Sequence, residues 1–185
     1  MKNKTIVLGL VGEIAAGKGT VASYLLKKYK FFYYKLSAPG RDILTRIHKE
    51  VSRRNMNALN TALRGAFGED YLSGVIIKDI TKDKCRLAII DGIRKPAEVK
   101  FFRQIDGFKL AYITAQEKIR WKRLVTREEN SGDKKKSFRQ FQRDHLLATE
   151  TDIDRIGRKA DFKIDNSGSI EELHKNIDNI IKVIA

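Results

Sequence analysis

Cysteine occurs once in the 185 residues, at Cys85, which excludes an internal disulfide and any multi-cysteine metal centre. Its neighbours read as a strand, so the thiol is expected to be structural. The only prolines are Pro39 and Pro96, and the 13 glycines are scattered; the composition fits neither a collagen-like nor a low-complexity chain. No apolar run approaches the ~20 residues that a membrane helix requires. The first run, Thr5 to Val11, is shorter than a signal-peptide core and leads into a glycine-rich turn. A soluble, cytoplasmic protein without a membrane partner is expected. The three histidines, His48, His145 and His174, lack metal-ligand spacing and are expected to be structural.

Acidic charge is also in short supply. Thirty-eight Lys and Arg face 23 Asp and Glu, a net +15, which attracts phosphorylated partners such as nucleotides, nucleic acid or anionic lipid without choosing among them. The excess is concentrated between Lys118 and Arg143, where ten basic residues meet three acids, Glu128, Glu129 and Asp133.

What is present is the rhythm of one α/β domain spanning 1–185, a length that suits a single hydrophobic core. Strand-length apolar runs fall at Lys4–Val11, Phe31–Leu36, Arg86–Asp91, Phe108–Thr114 and Asp161–Ile164, separated by helical patterns, as in a buried parallel sheet. Val21, Ala22, Leu25, Leu26 and Tyr29 form one core-facing stripe, and Ile170, Leu173, Ile177, Ile180, Ile181 and Ile184 another. Ser169 with Glu172 and Ser137 with Gln140 are capping-box patterns, and Pro96 suits a first helical turn. Pro39 to Thr81 has helical periodicity and no convincing strand, so an all-helical insertion of about 38–81 is expected.

Gly12-Glu13-Ile14-Ala15-Ala16-Gly17-Lys18-Gly19-Thr20 lies between the first strand and a helix. That context lets backbone N–H groups and a helix N-terminus hold phosphate oxygens, while Lys18 reaches the outer phosphates. The hydroxyl stands one position later than in the general motif, with Gly19 directly after the lysine. The second notable segment, Arg86 to Asp91 followed by Gly92-Ile93-Arg94, is an apolar strand ending in an acid that suits a magnesium-holding carboxylate beside such a loop.

The Gly-Lys-Gly-Thr order resembles adenylate kinase and its nucleoside monophosphate kinase relatives. Asp91-Gly92-Ile93-Arg94, with Glu98 and Phe101-Phe102 after it, is similar to phage-type deoxynucleoside monophosphate kinases and to an archaeal kinase-like family. The resemblance implies a three-layer α/β/α P-loop NTPase fold with a five-stranded parallel sheet in the order 2-3-1-4-5, a helical acceptor insertion and a basic lid at about 116–146. It implies ATP and Mg²⁺, with Gly12, Ala15, Ala16, Gly17, Lys18, Gly19 and Thr20 around the donor phosphates and Thr20 and Asp91 at the metal. Asn166, in the turn after the last strand, is implied near the adenine through backbone or side chain.

On the acceptor side it implies Ser37 and Arg41, then Arg53, Arg54 and Arg64, and Arg94 on the acceptor phosphate; Glu98 either braces Arg94 or is a solvated helix acid. Three arginines around a site supply bidentate phosphate donors. Arg120, Arg123 and Arg127 are spaced for one helix face, where lid arginines meet the charge of a moving phosphoryl group; the alternative is a solvated basic helix. The lid tip would run from Glu129 to Lys136.

The expected reaction is transfer of the ATP γ-phosphoryl to a small phosphorylated acceptor, a nucleoside monophosphate. Two alternatives stay open. A dephospho-coenzyme-A-kinase-like enzyme would phosphorylate a hydroxyl, which profits from a carboxylate base near the end of the second strand; here Ser37-Ala38-Pro39 stands there, with Asp42 a turn later. An ATP-controlled protein that binds RNA or an assembly partner would use the +15 surface, though no nucleic-acid-reading motif is present.

Overall fold

A computed structural model of the chain describes residues 5–127, 133–144 and 148–184. Lys4, the lid-tip residues 129–132, Glu128 and His145 lie outside them. The five strands are β1 (Ile6–Val11), β2 (Phe32–Lys35), β3 (Leu87–Asp91), β4 (Phe108–Thr114) and β5 (Phe162–Asp165). All pair in parallel, in the order β2-β3-β1-β4-β5. This is the topology the resemblance implies; β4 has the limits expected from the sequence, and the other strands differ from theirs by one or two residues. Asp161 is the instructive case. Its backbone N–H donates to the Leu110 carbonyl at 2.9 Å, but its carboxylate, which also faces Arg103, accepts the Leu110 N–H at 2.7 Å, and the strand begins at Phe162.

The helices are α1 (Lys18–Tyr29), α2 (Ala38–Arg46), α3 (Arg53–Phe67), α4 (Tyr71–Lys82), α5 (Pro96–Phe102), α6 (Glu117–Arg127), α7 (Phe138–Asp144), α8 (Ala148–Gly157) and α9 (Ile170–Ile184). The period-2 pattern of β1 divides the core. Val7 and Val11 face a cluster containing Ile76, Ile80 and Phe102, whereas Ile6, Leu8 and Leu10 face Val21, Leu25, Leu173 and Ile177. The sheet is therefore covered on both faces, as a parallel sheet requires. Of the two expected helix stripes, Leu26 and Ile170 remain exposed while Val21, Ala22, Leu25, Leu173, Ile177 and Ile181 are buried.

Local chemistry sets the helix starts. Ser169 Oγ accepts the Glu172 N–H while the Glu172 carboxylate accepts that of Ser169, and Ser137 and Gln140 exchange the same pair. Pro96 opens α5 at a position where a missing N–H costs nothing. Between β2 and β3 the described chain is wholly helical or loop: α2 begins just after the C-terminal end of β2, α3 follows it, and α4 packs Leu72, Ile76 and Ile80 against one face of the sheet. Among the described residues no helix is long and apolar enough to cross a membrane.

Candidate functional site

The loop between β1 and α1 is shaped by two close approaches. A Cβ on Gly12 would lie 2.3 Å from the Ile113 carbonyl oxygen of β4, and one on Gly17 would lie 2.0 Å from Asn166 Nδ2. Gly17 also holds the left-handed φ of 101°, and Ala15 that of 59°, a curl that turns successive N–H groups toward one concavity. The first N–H groups of α1 have no intrahelical acceptor, and no side chain caps that helix. Lys18 Nζ donates to the Gly12 and Glu13 carbonyls at 2.6 and 3.2 Å, so its ammonium arches back over the loop. Gly19 and Thr20 are exposed on the first turn of α1.

Residues from three distant segments brace this loop. Asn166, buried after β5, donates from Nδ2 to the Ala16 carbonyl at 2.8 Å. One N–H of its side chain is thereby used on the loop, and its own carbonyl accepts from Arg123 Nη2 at 2.9 Å. Arg120 is buried; its Nε donates to the Ala115 carbonyl at 3.0 Å, its Nη1 to that of Ile14 at 3.5 Å, and Nη2 lies 3.9 Å from Glu13 Oε1. The three arginines of α6 therefore end in three settings: Arg120 buried against the loop, Arg123 half-buried beside Asn166, and Arg127 exposed at the helix end. Ile14 and Ala15 in turn pack on Trp121, Leu124, Phe138 and Phe141, which joins α6 and α7 to the loop through an apolar contact.

Asp91 ends β3 in register with Leu10 of β1 and Lys35 of β2, one strand from the loop. Tyr33 Oη donates to Asp91 Oδ2 at 2.5 Å, and burial together with this bond holds the phenol's pKa above its ordinary value. Asp91 Oδ1 is buried and accepts no hydrogen bond, and Ser37 Oγ, at the start of α2, is likewise buried without a partner. Glu13 Oε2, Arg123 Nη1 and Arg64 Nε are also buried without a hydrogen bond, Arg64 Nε lying in an ion pair with Glu69. Buried polar atoms without partners are uncommon in folded chains. Apart from Ser73, those found here sit on the loop, on its brace Arg123, at the end of β3 or in the helical segment between β2 and β3. That distribution fits a site whose ligand supplies the missing partners. The donor set also fits Mg²⁺: an acidic oxygen with a free lone pair beside a phosphate-binding loop is what a cation bridging protein and phosphate needs. Among the described residues no group of three or more His, Cys, Asp or Glu could hold a metal by itself, so such a cation would share its shell with phosphate oxygens.

Where the sequence predicts the acceptor, Arg94 is exposed, and its backbone N–H and that of Lys95 donate to Glu98 Oε2 at 2.8 and 3.0 Å. Glu98 is almost wholly buried. Burial lifts its pKa above the ordinary carboxylate value, opposed by those two N–H groups and the Arg64 charge. The other oxygen, Oε1, faces Arg64 Nη2 at 3.6 Å, and Arg64 Nε lies 3.4 Å from Glu69. The structure thus gathers the loop, Asp91, Ser37, Arg120, Arg123 and Asn166 around one end of the sheet, and links Arg64 to the Arg94 backbone through Glu98. Arg41, Arg53 and Arg54 are exposed on α2 and α3, and no described contact joins them to that group. Tyr33 and Glu13 escaped sequence reasoning. Tyr33 reveals itself only through the β2–β3 register, and Glu13 occupies a loop position that the motif leaves open.

The sheet order and the phosphate loop define a kinase-like P-loop NTPase. More particularly, the chain belongs to the AAA domain family, whose model matches residues 8–145. It is 25% identical over 179 residues to a UPF0200 protein of Staphylothermus marinus, covering 97% of this chain and 93% of the relative. It is 23% identical over 203 residues to the dephospho-CoA kinase of Fusobacterium nucleatum, with 97% and 98% covered. Among solved structures, TT1252 from Thermus thermophilus superposes with a TM-score of 0.66 at 16% identity, covering 98% of this chain and 99% of that one. Shikimate kinase from Bacteroides thetaiotaomicron follows with 0.62 at 13%, covering 97% and 98%. These two likenesses bear on the fold.

Proposed function

We propose that the chain transfers the γ-phosphoryl group of ATP to the phosphate of a nucleoside or deoxynucleoside monophosphate. One observation carries the choice of a phosphate acceptor. The loop that leaves β2 is Leu36-Ser37-Ala38, with no carboxylate of its own to serve as base for a hydroxyl, while Glu98 joins the Arg64 guanidinium to the backbone of Arg94. A phosphate is already an anion and asks only for cations. In this reading an acceptor phosphate oxygen bonds to the γ-phosphorus as the bond to the β,γ-bridging oxygen breaks, and ADP leaves. Lys18 and the loop N–H groups hold the donor phosphates, Thr20 and Asp91 hold Mg²⁺, and Arg123 and Arg127 meet charge on the moving group. Arg120 supports the loop from beneath. Ser37, Arg41, Arg53, Arg54, Arg64 and Arg94 serve the acceptor, and the backbone around Asn166 borders the donor base. The cation supplies charge neutralisation between the phosphates.

The dephospho-CoA kinase relative, matched over nearly its whole length, favours a second reading in which the acceptor is dephospho-coenzyme A. ADP release with Mg-ATP across ribo- and deoxynucleoside monophosphates and dephospho-coenzyme A separates the two. Turnover on one monophosphate, abolished in Lys18→Ala, is the expected outcome. Turnover on dephospho-coenzyme A alone overturns the phosphate-acceptor reading.

A further inference from the structure

Glu98 is the one acid among the described residues that is both almost wholly buried and bound to two segments of the acceptor side at once. Its Oε2 accepts the N–H groups of Arg94 and Lys95, which sets the loop leaving Asp91 through Gly92. Its Oε1 lies 3.6 Å from Arg64 Nη2, near the end of α3, more than thirty residues away in the chain. Both ends are rigidly framed. Val99 and Phe102, on the same short helix, are buried in the core, and Tyr71 Oη donates to Asn60 Oδ1 at 2.8 Å, tying α4 to α3 beside Arg64.

Arg64 is held without being saturated. Its Nε is buried and forms no hydrogen bond, and its two carboxylate neighbours stand at 3.4 and 3.6 Å, outside ordinary charge-assisted hydrogen-bond length. A guanidinium restrained by two carboxylates yet bonded to neither at hydrogen-bond length is prepared for an incoming anion, because the ordering cost is met before the ligand arrives.

We infer that Glu98 is a positioning residue for acceptor recognition: its carboxylate holds the Arg64 guanidinium against the Arg94 loop, so that α3 and the β3–α5 loop present their donors to one phosphate. This rests on the proposal that the acceptor is a nucleoside monophosphate. Glu98 touches no reacting atom and acts through Arg64.

The test is a double-mutant cycle on acceptor kinetics with Mg-ATP saturating, using whichever monophosphate the wild type turns over best. Glu98→Gln keeps an oxygen for the two N–H groups and removes the charge facing Arg64. It is expected to raise the acceptor KM about tenfold, with kcat within about threefold and the ATP KM unchanged. In the Arg64→Ala background the same substitution should change the acceptor KM by less than about twofold, since the two effects run through one contact. If Glu98 is only structural, Glu98→Gln lowers the melting temperature and its kinetic effect is the same with or without Arg64, which overturns the inference. An unchanged acceptor KM in folded Glu98→Gln overturns it as well. A wild type inactive on every monophosphate instead overturns the reading beneath it, and the inference falls with that reading.

Discussion

Replacing Asn166 with alanine takes away the side chain that donates to the Ala16 carbonyl at 2.8 Å and leaves that carbonyl oxygen in a fully buried residue. An abandoned buried acceptor costs about 1–3 kcal/mol. For a domain of 150–250 residues each kcal/mol moves the melting temperature by about 2–4 °C, so about 2 kcal/mol translates to a fall of about 4–8 °C. The structural consequence is local. Gly17, whose conformation is set where a Cβ would strike Asn166, loses the wall that holds it, and the phosphate loop gains freedom. Added Mg-ATP, which stabilises by mass action when it binds the folded chain alone, should therefore raise the melting temperature of Asn166→Ala by less than it raises that of the wild type. Differential scanning fluorimetry with and without 1 mM nucleotide, as a rough working concentration of that kind, reads both quantities. A melting temperature within about 1 °C of wild type, together with an undiminished nucleotide shift, would refute the reasoning that this amide braces the loop.

Gly19 separates folding from ligand binding, because nothing lies within 4 Å of a Cβ placed there. Gly19→Ala is expected to keep or slightly raise the melting temperature, alanine being about 1 kcal/mol better than glycine within a helix, while weakening nucleotide binding measured by titration calorimetry. Asp178 receives hydrogen bonds from Lys28, Tyr29 and Tyr24, and these bonds, the Lys28 one foremost, hold its pKa down at about 2. A depressed folded pKa gives stability that is present above the ordinary value of 3.8 and is lost as pH falls toward 2. Asp178→Asn should therefore show a smaller acid-induced loss in melting curves taken across that window, and the difference should shrink in high salt because the group is partly exposed.

The local signals were legible where chemistry is short-range. Alternation in Ile6–Val11, the glycines at 12 and 17, the paired caps at Ser137 and Ser169, and Pro96 each express a constraint acting over a few residues, and the structure carries all of them. The phosphate loop belonged to this class. Leu26 and Ile170 misled because periodicity marks a stripe without marking where the neighbouring helix ends. The spacing of Arg120, Arg123 and Arg127 gave the shared helix but not the depth of each side chain: helical spacing sets direction around one axis, whereas burial depends on what packs against each position. Ile14 and Ala15 of the loop, meeting α6 and α7, draw Arg120 inward and leave Arg127 outside.

The amino-acid sequence by itself determined the strands, their parallel arrangement around a phosphate-binding turn, and the set of arginines available to an anionic ligand, because hydrophobic period, glycine geometry and charge are properties of nearby residues. Tertiary structure alone decided which of those groups have partners. Asn166 spends its amide on a loop 150 residues earlier, Tyr33 meets Asp91 through strand register, and Glu98 faces Arg64 across two helices. Each of these depends on chain segments brought together by burial of the shared core, and a hydrogen bond or ion pair a few ångströms long carries no trace in sequence separation.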